Sequence, residues 1–559
     1  MFHNLSIFLF ALLILSCQNQ KINKNHSYDG AMVVSAHPIA SEVGLEIIAS
    51  GGNAADAAIA VQMALAVVYP SAGNIGGGGF FVYRTSEGES NTLDFREKAP
   101  KAAHEKMYID SLGKVIEDLS LVGHMAIGVP GTVDGMVEVH KKYGSLSWEE
   151  LIQPAIDLAE NGFALTKKEA NNLNYFNNKK VLNPNSENPY YSDEHKEGDS
   201  LILIDLSKTL SEIKNNKKHG FYSGWVANKM IDEIRTNGGI MNLDDLANYQ
   251  SIWRKPIESN YKNYKLISMG PPSSGGILLA QMLEMISHYP IKKLGFHSKK
   301  TIHLMAEIER RAFADRSEHL ADPDFYEVKF ISLLDSLYLT KRIDDINFNK
   351  ATLSTTVSPG EFISNESDET THFSIVDNQG NAASVTTTLN ASYGSGVIVK
   401  GAGFLLNNEM DDFSIQPGYP NLYGLIGGQA NAIQPEKRML SSMTPTILEK
   451  NGGLFMVLGS PGGSTIITAV FQTILNVIEF GMSMDSAVNV TRFHHQWLPD
   501  QIKLENKMAK DSILISELKA LGHNIKLTGS MNRVDAILVD NGVLYGGADR
   551  RGDDCAKGF

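Results

Sequence analysis

The segment Gly73-Asn-Ile-Gly-Gly-Gly-Gly79 restricts the possible folds of this chain more than any other stretch. It joins an alanine-rich run, residues 53–68, to the apolar run Phe80–Arg84. The first is apolar all round and rich in small side chains, which predicts a helix packed closely on a neighbour. The second predicts a strand, as does Leu93–Phe95. A phosphate-cradling loop would continue into Gly-Lys-Ser/Thr and a helix, and here neither follows. The glycines are therefore read as backbone lying against backbone, where a Cβ would not fit.

Residues 150–350 are richer in Lys, Asn and Glu and read as mostly helical, with Ser147–Asn161 and Thr301–His319 as examples. His303 and Glu307 share a helix face at i,i+4, a metal-ligand spacing, but without a second histidine they read as structural. Residues 351–369 are polar and without pattern, which predicts an exposed loop or linker. After residue 370 the texture changes. Phe373–Asp377 and Ala382–Leu389 predict two strands joined at Asn378-Gln-Gly-Asn381, a hairpin signal. Leu454–Leu458 predicts a strand, Gly459-Ser-Pro-Gly-Gly463 a turn, and Ser464–Phe480 a helix. Asp535–Val539 and Val543–Tyr545 predict a last hairpin.

Three stretches carry chemistry. Thr370-Thr-His372 stands at the mouth of a strand, and Thr386-Thr-Thr-Leu-Asn390 closes its partner, so the hairpin would bring those hydroxyls near Thr370. Threonine is also simply a good strand residue. Gly459–Ser464 leaves free N–H groups at a helix N-terminus, suited to an oxyanion, or is an ordinary tight turn. Asn407-Asn-Glu-Met-Asp-Asp-Phe413 crowds carboxylates that need solvent or a cation, such as a substrate ammonium. Read alone, it is better taken as a solvated acidic turn. His494 and His495, flanked by Phe493 and Trp497, read as packed, hydrogen-bonded histidines.

The chain has 559 residues and a net charge of −13, which argues against a nucleic-acid partner. Residues 5–16 form an apolar run suited to a signal segment and too short to span a bilayer comfortably. Ile14-Leu-Ser-Cys17 resembles a bacterial lipobox, which predicts a signal peptide at 1–16, a lipid anchor on Cys17 and a tether at 17–28. An ordinary signal is the alternative. Cys17 and Cys555 are the only cysteines, so a lipidated Cys17 leaves no intrachain disulfide and the core must hold the fold. Two cysteines also exclude thiolate zinc sites and iron–sulfur clusters.

Taken together and in order, these pieces resemble the γ-glutamyltransferases (γ-glutamyltranspeptidases), from about Asp29 to Phe559. The resemblance rests on Gly51-Gly-Asn-Ala-Ala-Asp56, the Gly76–Gly79 run, Asp94-Phe-Arg-Glu97 and the stretch Thr370–Gly394. It rests also on residues 407–414, Arg438-Met-Leu-Ser-Ser-Met-Thr-Pro445, Gly459–Gly463 and Arg492–Trp497. It implies an α+β fold of the N-terminal-nucleophile hydrolase type, a four-layer α-β-β-α sandwich. It further implies autocleavage between Glu369 and Thr370 into a large subunit, 29–369 in its folded part, and a small catalytic subunit, 370–559, which stay together.

By the same resemblance, Thr370 is the nucleophile and its freed α-amine the base. Thr388 orients the Thr370 hydroxyl, and Gly462 and Gly463 supply the oxyanion-hole N–H groups. Arg96, with Ser441 and Ser442, holds the substrate α-carboxylate, while Asn390, Glu409 and Asp412 hold its ammonium. Tyr423, in the retained loop 417–431, matches the active-site lid, whose presence favours a γ-glutamyl enzyme over a cephalosporin-acylase type. The chain departs from many bacterial members in having Glu409 for Gln, and from the usual Val in having Ala383. The implied donors are glutathione and other γ-glutamyl compounds, and the acceptors water, amino acids or dipeptides. No metal or organic cofactor is implied, and the expected location is extracytoplasmic, in the periplasm. The alternatives are a related glutaryl or cephalosporin acylase and a non-cleaving envelope lipoprotein that binds γ-glutamyl compounds.

Overall fold

The structure is a computed structural model, and it describes residues 27–178, 189–190, 192, 194–358, 370–416 and 429–559. The expected signal peptide, Cys17, Glu369 of the expected cut and Tyr423 of the expected lid lie outside these residues.

Two seven-stranded sheets form the centre. One sheet contains the hairpin Thr371–Val376 and Ala382–Thr388, flanked by Met32–Ser35 on one side and Gly78–Arg84 on the other. The second sheet contains Tyr264–Ser268, Thr446–Lys450, Gly453–Gly459 and Asp535–Asp540. Side chains alternate across the strands with period two. Val33, Phe81, Tyr83, Phe373 and Ile375 face a core shared with the helices Pro38–Ala49 and Ala54–Val68. Their neighbours Met32, Val34, Phe80 and Val82 face the second sheet. That sheet's core takes in the helices Gly275–Ser287, Lys299–His319 and Ser464–Ile478. The result is helix, sheet, sheet, helix, the expected four-layer sandwich. A one-residue slip in any central strand would exchange the two faces, so both cores hold the register.

The glycine run behaves as its composition requires. A Cβ on Gly77 would lie 2.0 Å from the Thr388 carbonyl oxygen, and one on Gly79 2.3 Å from that of Thr386. Only glycine lets Gly78–Arg84 close on the strand that ends in Thr388. The helix Ala54–Val68 is buried along its whole length and begins with a capping box between Asn53 and Asp56. Asp377, at the hairpin turn, ties the turn to that helix. Its Oδ1 accepts from the Gln379 and Asn381 N–H groups at 2.9 Å, and its Oδ2 from the Ala54 N–H at 2.8 Å.

Several expectations are corrected. The helical middle also contains strands Ile252–Arg254, Ile257–Tyr261 and Tyr264–Ser268, the last two at one edge of the second sheet. In Ile257–Tyr261 the outward Glu258 and Asn260 are polar and exposed, and in Tyr264–Ser268 the buried Leu266 and Ile267 are adjacent, so little apolar alternation marks either strand. The linker from 351 is not wholly exposed: Ala351, Ser354 and Val357 are buried. Within the expected tether, Ser27 and Tyr28 form a short strand that pairs with Tyr545 and Leu544. Cys555 begins an edge strand, Cys555–Gly558, against Met32–Ser35.

Candidate active site

The hairpin register decides the first geometry. Thr371 lies opposite Thr387 and His372 opposite Thr386, so Thr370 comes opposite Thr388 at the open end. Thr370, Thr388, Asn390, Arg96, Glu409, Asp412, Ser441 and Ser442, with Met443 and Ile466, line one cavity of about 170 Å³. Eight of the predicted residues are thus brought together from segments far apart in sequence. Gly462 and Gly463 are not on the wall; they sit one turn before Ile466, at the N-terminus of Ser464–Ile478.

The threonine end is hydrogen-bonded and nearly closed to solvent. Thr370 is 7% exposed and Thr388 1%. The Thr388 Oγ1 accepts from the Asn390 N–H at 2.7 Å, which fixes the side chain at the strand's end. Asn390 has φ of +69° and donates its Nδ2 to the Asn408 carbonyl at 3.0 Å, so this turn and the acidic segment are joined. His372 is not placed to act as a base. Its ring is enclosed between the sheets, with Nδ1 2.9 Å from the Thr386 Oγ1 and Nε2 3.1 Å from the Ser374 Oγ. Burial pushes its pKa down to about 3, so it is neutral.

The charged end corrects the expectation of a solvated acidic turn. Glu409, Asp411 and Asp412 are all buried, in a 3-10 turn. Asp411 accepts from the Ser120 hydroxyl at 2.7 Å and faces away from the cavity's cation. Arg96 provides that cation. Its Nη1 lies 2.7 Å from a Glu409 oxygen, and its Nη2 donates to Asp412. Its Nε and Nη2 also donate to the Met439 and Leu440 carbonyls, at 3.3 and 3.4 Å. The expected carboxylate clamp and the expected ammonium site therefore hold each other.

Glu97 adds a third carboxylate, 3.5 Å from the Arg96 Nη1, with neither oxygen hydrogen-bonded. Burial pushes its pKa up to about 8. Burial also raises Glu409 well above the ordinary carboxylate range, and Asp412 to a lesser degree, against the pull of Arg96. One guanidinium cannot ionise three buried carboxylates, so part of the set holds protons at neutral pH. The sequence quoted Glu97 within its motif but gave no sign of this.

The serine wall depends on residues that the sequence did not single out. Arg316, buried on the helix Lys299–His319, donates its Nη2 to the Ser442 Oγ and its Nε to the Ser274 Oγ, both at 3.0 Å. Ser274 in turn donates its N–H to the Ser441 carbonyl at 2.7 Å. The Pro271-Pro-Ser-Ser-Gly-Gly276 run was a legible turn, but nothing in a helical pattern marks Arg316. At the glycine turn, φ is +112° at Gly462 and +63° at Gly463, conformations that favour glycine and leave N–H groups off the helix ladder. A Cβ on Gly462 would meet the Asn532 side chain at 2.8 Å. His494 and His495 are packed and neutral as read: Thr468 and Gln496 hold the first, Asp500 the second.

Chemically, the cavity presents a strand-terminal hydroxyl at one end. At the other it presents a guanidinium among carboxylates, able to meet a carboxylate and an ammonium at once. Chains similar to this one are found among known proteins. The sequence pattern described as gamma-glutamyltranspeptidase matches residues 40–559. The glutathione hydrolase proenzyme of Escherichia coli (strain K12) is 43% identical over 94% of this chain and 92% of its own. The crystal structure of Helicobacter pylori gamma-glutamyltranspeptidase is 44% identical, covering 58% of this chain and 94% of that one, with a TM-score of 0.57. That of a cephalosporin acylase from Bacillus halodurans is 25% identical, covers 97% and 98%, and has a TM-score of 0.84. With its fold, its threonine hairpin and its charged cavity, this chain belongs to the gamma-glutamyltranspeptidase family.

Proposed function

We infer that the protein is a γ-glutamyltransferase and glutathione hydrolase that matures by cutting itself between Glu369 and Thr370. The observation that carries this reading is the joining of Thr370 and Thr388 with Arg96, Glu409 and Asp412 in one small cavity. A threonine hydroxyl inside a chain is a weak nucleophile. Cleavage frees an α-amine with an ordinary pKa of about 7.7–8.0, partly neutral at pH 7, on the same residue. The amine takes the Thr370 hydroxyl proton as the Oγ attacks the γ-carbonyl of the donor. The N–H groups of Gly462 and Gly463 hold the oxyanion, and the amine's proton passes to the leaving nitrogen. A γ-glutamyl ester on Thr370 remains. Water or an amino-acid amine, deprotonated by the same amine, attacks the ester and restores the hydroxyl.

Specificity lies at the charged end. The donor's α-carboxylate takes the Arg96 fork with Ser441 and Ser442, and its ammonium takes Asn390, Glu409 and Asp412. A glutaryl side chain has no ammonium to meet those carboxylates, which disfavours the acylase reading despite the shared fold. Tyr423 is assigned to the lid on its sequence position alone. Residues 1–16 export the chain, lipid on Cys17 anchors it on the periplasmic side through the residues before Ser27, and the subunits are 29–369 and 370–559. Support for the anchor is the Ile14–Cys17 sequence alone, and radiolabelled fatty acid incorporated equally by the wild type and Cys17→Ala would remove it.

The test of the enzyme reading is intact mass and N-terminal sequencing of the mature protein beside Thr370→Ala, with γ-glutamyl-p-nitroanilide and a glutaryl anilide as substrates. Two fragments, the smaller beginning Thr-Thr-His-Phe, with a γ-glutamyl preference, are expected, and Thr370→Ala should stay whole and inactive. A wild type that remains uncut would favour a γ-glutamyl-binding lipoprotein.

A further inference from the structure

The helix face left without a second histidine in the sequence acquires one in the fold. His523, at the end of the helix Ser512–Ala520, places its Nε2 2.7 Å from the His303 Nδ1. Ligand atoms of His303, Glu307 and His523 all lie within 4.8 Å of one another, and all three residues are buried. The other His303 nitrogen, Nε2, lies 3.0 Å from the Asn347 carbonyl oxygen, which can only accept. That contact places the His303 proton on Nε2 and leaves Nδ1 as a lone pair aimed at His523. A ring N–H held by a backbone carbonyl is the usual support of a metal-bound imidazole. Both rings are neutral, since burial lowers their pKa values, that of His523 to about 3.

The charges nearby permit a cation. Glu307 receives Arg310 and Arg311, and its Oε1 also accepts from the Thr352 N–H at 3.0 Å. Asp500 and Asp345 take the far sides of those guanidinium groups, at 3.3 and 2.6 Å. Three carboxylates against two guanidinium groups leave one negative charge.

We propose that His303, Glu307 and His523 form a binding site for a borderline transition-metal dication of the zinc or cobalt kind. Imidazole nitrogen with one carboxylate suits such ions, and disfavours magnesium or calcium. Bonds of ~2.0–2.1 Å at a tetrahedral angle put two ligating nitrogens roughly 3.3 Å apart, so the pair must open by about 0.6 Å. His523 follows the turn at Leu521-Gly522, and a rotation of its ring would supply that opening. It binds through Nε2 as the tautomer protonated on Nδ1, and water completes the coordination from its 5%-exposed side.

The site's location gives it a purpose. His303 and Glu307 precede the expected cut and His523 follows it, so after maturation the ion would clasp two separate polypeptides. This consequence, unlike the site, rests on the cleavage proposed above.

Cobalt(II) is the probe. The wild type should take up one equivalent with the intense visible absorption of a four-coordinate site, and zinc should displace it. Both the mature protein and uncut Thr370→Ala should show the band. His523→Ala should lose it while keeping γ-glutamyl-p-nitroanilide activity, which reports its fold. Zinc should also move subunit dissociation to higher urea in the wild type and not in His523→Ala. Equal uptake by the wild type and His523→Ala, or no tetrahedral band in either, would overturn the site. A band in a wild type that never cuts would keep the site and remove the clasp.

Discussion

Replacing Arg96 by lysine keeps the charge at the closed end of the cavity but removes the fork. The guanidinium meets Glu409 and Asp412 through separate nitrogens while touching the Met439 and Leu440 carbonyls. A single ammonium cannot keep those partners and also present two parallel N–H groups to a substrate carboxylate. The loss is at least one charge-assisted hydrogen bond, about 1.5–3 kcal/mol. At 1.36 kcal/mol per decade this is about 10- to 150-fold in kcat/KM. The head group is bound alike in the ground and transition states, so the change should fall on KM with kcat little altered. The assay compares γ-glutamyl-p-nitroanilide with 4-aminobutyryl-p-nitroanilide, which lacks the α-carboxylate, in the wild type and Arg96→Lys. The wild-type preference for the carboxylate-bearing donor should shrink by that same factor, as in a double-mutant cycle. Self-cleavage should proceed normally, because the Glu369 carbonyl presents no free amino-acid head group. An unchanged preference ratio, or a loss confined to kcat, would refute the assignment of Arg96 to the α-carboxylate.

Gly462→Ala should lower kcat by about 10²–10³, the usual cost of a disturbed oxyanion donor, because φ of +112° and the Asn532 side chain at 2.8 Å both oppose a Cβ; steady-state kinetics on correctly cut protein checks it. Binding of L-glutamate at pH 7 should release protons, since its ammonium lowers the raised pKa values of Glu409 and Asp412. Titration calorimetry in buffers of different ionisation enthalpy measures this, and buffer-independent heat would contradict it. Glu97 has a folded pKa of about 8, above the carboxylate value of the unfolded chain. Its contribution to stability is therefore fully present below about pH 4.3 and lost as pH rises through 8. Glu97→Gln should flatten that fall, seen as a smaller drop in urea midpoint between pH 5 and 9.

How much of this was legible in the chain follows from how local each feature is. The glycine run, the hairpin around Asn378–Asn381 and the helix after Gly463 rest on backbone sterics and short-range hydrogen bonds. Those forces act between near neighbours, so residue order alone announces them. The hairpin that brings Thr370 near Thr388 was legible for the same reason, while the register that sets the two opposite each other came only with the structure. The strands Ile257–Tyr261 and Tyr264–Ser268 were not legible, because the first is an edge strand with a polar face and the second sets buried Leu266 beside buried Ile267, so neither carries a clear period-two signal.

The ordered motifs pointed to the family and named the cavity residues, but the state of those residues belongs to the tertiary structure. Residues 407–413 look like a solvated acidic turn until Arg96, more than 300 positions earlier, is folded against them and water is shut out. The raised pKa values of Glu97 and Glu409 then follow from burial, which no local pattern reports. Arg316 behind Ser442 and His523 beside His303 are contacts of the same long-range kind. Secondary structure and glycine placement obey short-range sterics, whereas desolvation and charge pairing depend on whatever the packed layers bring within a few ångströms.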